Sequence, residues 1–69
     1  MTEAEERNIE RVDKYYIKAV DALRGMRRNS AKLAVKYPAI ENSLVEQDRA
    51  MAFIKEEWEL IHYEIDRSK

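Results

Sequence analysis

The sequence predicts an all-α protein, a long antiparallel helical hairpin, and three observations carry that expectation. The first is a seven-residue rhythm. Ile9, Val12, Tyr16, Ala19, Leu23 and Met26, and later Leu44, Gln47, Met51, Ile54, Trp58, Ile61 and Ile65, fall at alternate steps of three and four. That spacing lines residues along one helix face as the a and d positions of a coiled-coil seam. Through Ser30, Leu33, Tyr37 and Ile40 the count runs on unbroken, so a continuous heptad seam is expected. The second observation is Pro38, the only proline, whose ring clashes with the carbonyl four residues back and drives Tyr37 out of helical geometry. The third is composition. One glycine and 39% charged residues beside 45% hydrophobic ones describe long solvated helices rather than disorder.

Taken in order, Thr2 followed by Glu5 spells a capping box, and Glu3, Glu5 and Glu6 place negative charge on the exposed amides of a first turn. The first helix is expected over about residues 2–36. Gly25, which costs about 1 kcal/mol in a helix interior, and the cap pair Asn29-Ser30 offer the alternative, a break there giving three helices. The chain turns near residues 37–42, and a second helix follows over about 39–67. It starts either at Pro38, which suits a first helical position, or at Ser43, whose partner Glu46 spells a second capping box.

One antiparallel register is self-consistent. It sets Leu33 against Leu44, Ser30 against Gln47, Met26 against Met51, Leu23 against Ile54, Ala19 against Trp58, Tyr16 against Ile61 and Val12 against Ile65. The two polar seam residues meet each other and the smallest side chain faces the largest, as close packing and polar satisfaction require. The same pairs can form within one chain or between two.

A 69-residue chain makes one domain, at a size where a single core supplies roughly 3–5 kcal/mol without a staple. Cysteine is absent, so neither a disulfide nor a thiolate metal site fills that role. A partner is expected. The economical one is a second copy, giving a homodimeric four-helix bundle whose interface draws on the off-seam residues Ile17, Val20, Phe53 and Leu60. The longest apolar run, Ala50 to Ile54, is far short of the roughly 18 residues that span a bilayer, and the first residues are acidic. A cytoplasmic protein without membrane contact is the expectation.

Charge is segregated. Residues 1–21 carry −2, residues 22–40 carry +5 and residues 41–69 carry −4. Arg24, Arg28, Lys32 and Lys36 recur every four residues with Arg27 beside them, a stripe that reads as a solvated face or as a nucleic-acid surface. Arg27 falls opposite Asp48 in the preferred register. On the second helix Glu56, Glu57 and Glu64 surround Leu60 and Tyr63, a pattern suited to docking on a protein partner, since aromatics anchor interfaces.

Little catalytic chemistry is spelled. Glu59 and His62 have the Glu-x-x-His spacing of di-iron bundles, with Asp13 opposite His62, but the pair sits off the seam and no seam position holds a carboxylate. No nucleophile stands beside a base, and Gly25 alone cannot cradle a phosphate. No cofactor or metal is expected. The functional expectation is a small non-enzymatic regulator or adaptor acting by protein contact, of a style that suits an accessory factor or inhibitor of a bacterium or its phage. A nucleic-acid-binding regulator is the alternative, and a metal-binding bundle comes third. Because the register puts Ala19 against Trp58, Ala19→Leu is expected to destabilise by about 1–3 kcal/mol through overpacking. An unchanged melting temperature would refute that register.

Overall fold

Thr2 starts the first helix. In the computed structural model, which describes residues 1–68, its extended backbone leaves Oγ free to accept the N–H of Glu5 at 3.1 Å, satisfying one otherwise unpaired amide of the first turn. The helix that follows, α1 (Glu3–Ala34), runs 32 residues without a break. Gly25 does not interrupt it. Asn29, the candidate cap, instead donates its Nδ2–H to the Gly25 carbonyl at 2.8 Å from within the helix.

The chain reverses over residues 35–40, overlapping the 37–42 expected and beginning two residues before it. α1 stops at Ala34 rather than near residue 36, and the N–H groups of Lys36 and Tyr37 both reach the Leu33 carbonyl, at 3.1 and 2.9 Å. Tyr37 has φ −123° and ψ 83°, the extended geometry a following proline demands. Pro38–Ile40 forms one 3-10 turn that passes directly into α2 (Glu41–Arg67). Pro38 thus takes the first helical position. The second capping box does not form, because Ser43 already lies inside α2 and its Oγ accepts from Gln47 Nε2 at 3.2 Å.

Two helices side by side make a layer 52 × 18 × 9 Å, one helix thick. Among the described residues there are no strands, and no helix is long and apolar enough to cross a membrane. Polar contacts fix the register. Gln47 Nε2 donates to Ser30 Oγ at 3.1 Å, and Arg27 Nε meets Asp48 Oδ1 at 2.7 Å. Trp58 reaches past Ala19 to stack on Tyr16, with ring centroids 4.7 Å apart and planes 11° apart. Tyr16 therefore faces Trp58, and Ile61 does not fill the position opposite it.

The seam is not continuous. An α-helix has 3.6 residues per turn, so a strict seven-residue repeat drifts about 20° per heptad on a straight helix. The contact stripe accordingly slides by one residue at three places: Arg27 replaces Met26, Ala34 replaces Leu33, and His62 replaces Ile61. Met26 and Leu33 are left 55% and 53% exposed. Among the described residues only Ala34 and Gln47 are buried, so the single hairpin has a line of contact rather than a core.

Gly25 sits on the outside of α1, and a methyl group built there meets nothing within 4 Å. Gly25→Ala is expected to stabilise the helix by about 0.5–1 kcal/mol, read as a melting temperature a few degrees higher. A lower melting temperature would mean that something packs on this side of α1.

Candidate interaction surfaces

A layer one helix thick presents two broad faces, and the sequence makes them unlike. One is apolar. Tyr15 and Ala19 of α1 and Phe53 and Ile61 of α2 line a shallow depression of about 350 Å³, floored by the Tyr16–Trp58 stack and bordered by a single charged residue, Glu57. Steps of seven carry the same line from Ala19 to Met26 and Leu33, and a step of three carries it from Phe53 back to Ala50. Tyr15 and Phe53 are 62% and 61% exposed.

The opposite face is charged. Val20 and Arg24 of α1 line a groove of about 300 Å³ with Asp48, Met51, Ala52 and Lys55 of α2. Nearer the chain ends, Asp13 projects between the helices and accepts two hydrogen bonds, from Trp58 Nε1 at 2.9 Å and from His62 Nε2 at 2.6 Å. An ionised carboxylate only accepts, so the His62 proton in this contact sits on Nε2. His62 also lies tilted against the Trp58 ring at 4.7 Å. The hydrogen bonds from His62 and then Trp58 hold the Asp13 carboxyl below the ordinary value of 3.8, against a smaller opposing effect of desolvation.

The five candidate partner-binding residues do not share one surface. Glu57 borders the apolar depression, and Glu64 lies by Met1 and Asn8 near the chain ends, where its Oε2 holds Arg67 at 3.3 Å. Leu60 is two residues beyond Trp58, about 200° around the helix, so it points away from α1, and Glu56 and Tyr63 lie beside it on that outer edge. The four residues expected at a dimer interface also diverge: Phe53 is on the apolar face, Ile17 and Val20 line a groove with Arg24, and Leu60 is on the outer edge. The reason is the same phase drift. The seam residues shed by the contact stripe, not the off-seam aliphatics, make the larger apolar surface.

The basic stripe is also divided. Arg27 turns inward to Asp48, Arg24 borders the charged groove, and Lys36 lies 5.4 Å over the Tyr37 ring, while Arg28 and Lys32 are exposed on the outer edge of α1. Glu59 and His62 do not act together: Glu59 faces Lys55 at 3.9 Å and His62 is held by Asp13. Among the described residues, no three His, Cys, Asp or Glu side chains gather as a metal site would require. The contact that sequence reasoning missed is Asp13 with Trp58. An indole N–H enclosed at a helix contact takes an acceptor, and Asp13, one residue off the seam, is the carboxylate within reach.

Compared with protein families, curated proteins and solved structures, the chain matches none.

Because the folded pKa of Asp13 is depressed, its contribution to stability is complete above the ordinary carboxylate value of 3.8 and is lost as pH falls through the lower folded value. Asp13→Asn is expected to lower the melting temperature at pH 7 and to show a smaller further drop at pH 3 than the parent. Equal acid sensitivity in the two proteins would show that this carboxylate is not held by Trp58 and His62.

Proposed function

We propose that this chain is a small non-enzymatic regulator or adaptor that works by protein contact, in the form of a homodimeric four-helix bundle. The observation that carries this reading is the exposed apolar face centred on Tyr15, Ala19 and Phe53. A compact monomer of 8.2 kDa exposes about 4,500 Å², whereas this hairpin exposes 5739 Å². The excess, roughly 1,200 Å², is more than the ~800 Å² per partner that a stable interface covers. A second hairpin laid on this face gives Met26, Leu33 and Ile61 the neighbours that the single hairpin denies them.

With that face closed, the outer edge of α2 remains available to another protein. Leu60 and Tyr63 stand there between carboxylates, 51% and 60% exposed. This edge suits a basic partner, with the two aromatic and aliphatic side chains as anchors. The nucleic-acid reading ranks second, since Asp48 takes Arg27 out of the basic stripe.

Sedimentation at micromolar concentration is expected to give twice the chain mass of 8.2 kDa, with a melting temperature that rises with concentration. Leu60→Asp with Tyr63→Ala is expected to leave that dimer intact while abolishing capture of its protein partner from native lysate. A folded monomer whose melting temperature ignores concentration would overturn the assembly. Capture of nucleic acid alone, lost on nuclease treatment, would overturn the choice of partner.

A further inference from the structure

The apolar face has two rims of opposite sign. Along α1, Arg11 and Lys18 are seven residues apart and so lie on one line; along α2, Glu57 and Glu64 do the same. Lys18 is drawn toward this face, its Nζ lying 5.6 Å over the ring of Tyr15. Glu57 borders the central depression and forms no ion pair with another described residue. In the hairpin register, Lys18 lies within about 3 Å of the height of Glu57, and Arg11 likewise of Glu64, at 1.5 Å per residue. Within one hairpin the members of each pair stand on opposite rims.

From this arrangement we propose that the two hairpins pair face to face about a two-fold axis parallel to the helices, so that both turns lie at the same end of the dimer. The proposal rests on the dimer reading and adds its geometry. Such an axis preserves height and exchanges left for right, so each basic rim runs along the partner's acidic rim. Lys18 then meets the partner's Glu57, and Arg11 meets the partner's Glu64, twice over by symmetry. The competing arrangement turns one hairpin end over end, about an axis across the helices at the level of Ala19. It sets Lys18 beside the partner's Lys18 and Glu57 beside the partner's Glu57, each pair within about 3 Å of one height, like against like at the centre of the interface. Like-charge juxtaposition is how interfaces reject wrong pairings. Phe53 and the small residues Ala19, Ala22 and Ala50 give the apolar centre bumps and hollows that suit either axis, so the rims decide.

The chain contains no cysteine, which makes a single engineered label unambiguous. Asn42→Cys, exposed at the start of α2, carries a nitroxide, and the distance between the two labels in the dimer is read by pulsed electron resonance. Turns at one end are expected to give about 20–30 Å, two helix diameters plus label arms. A distance near the 52 Å length of the hairpin would overturn the proposal. The second arm is a charge exchange. Lys18→Glu and Glu57→Lys are each expected to weaken dimerisation about tenfold, and the double variant to return within about threefold of the parent. Because the two residues lie on opposite rims of one chain, that rescue crosses between copies. A double variant as weak as either single one would also overturn the proposal. A helical monomer at every concentration would instead remove the dimer itself, a result separate from either failure of its geometry.

Discussion

An α-helix of 3.6 residues per turn cannot keep a seven-residue repeat on a straight line, and the rest of this hairpin follows from how that mismatch is taken up. Coiled coils absorb it by supercoiling. Here the contact stripe slips sideways instead, exchanging Met26 for Arg27, Leu33 for Ala34 and Ile61 for His62. Each exchange puts a small or polar group at the helix contact and turns a large apolar one outward. The hairpin is thereby left with a narrow line of contact and a broad apolar face. Burial at roughly 25 cal/mol per Å² cannot be large where, among the described residues, only Ala34 and Gln47 are buried.

Polar contacts carry an unusual share of the specification. Ser30 with Gln47, Arg27 with Asp48, and Asp13 with Trp58 and His62 each tie one height of α1 to one height of α2. Their net worth is modest, about 1 kcal/mol for a neutral hydrogen bond and less for an exposed ion pair. Their effect on alternatives is larger. A slip of one heptad takes Gln47 away from Ser30 and leaves its amide with Ser43 alone. Even in the native register Gln47 Oε1 is buried without a hydrogen-bond donor, so this polar layer favours one pairing more than it stabilises it.

Much of this was legible in the letters, and what was not has physical causes. Pro38 and the Thr2 cap act through steric clash and one local hydrogen bond, which sequence displays directly. The pairing of Ser30 with Gln47 was legible because polar groups on a seam must meet each other, and that of Arg27 with Asp48 followed from the register it sets. The Ser43 capping box misled because a cap is defined by where the helix begins, and the 3-10 turn at Pro38 had already begun it. The apolar face was missed for a different reason: heptad counting assumes the supercoil that would keep Met26, Leu33 and Ile61 inside. Asp13 was legible opposite His62, as the 2.6 Å contact has it, but its bond from the Trp58 indole N–H was not, because Trp58 on the seam reads as a wholly apolar contact.

The polar contacts also differ in how far along the chain they reach, and this sets an order on how the hairpin closes. Ser30 and Gln47 are 17 residues apart, while Asp13 and His62 are 49 apart. Joining the first pair closes a loop with less entropy to lose, and the difference, (3/2)RT times the logarithm of the ratio, is about 1 kcal/mol. Once the pair beside the turn is made, each further contact toward the chain ends closes only a few additional residues. The helices zip from Pro38 outward, and they part in reverse, starting where the ends of both helices meet. Thermal opening therefore reaches Trp58, stacked on Tyr16 well along that path, before it reaches the Ser30 and Gln47 layer.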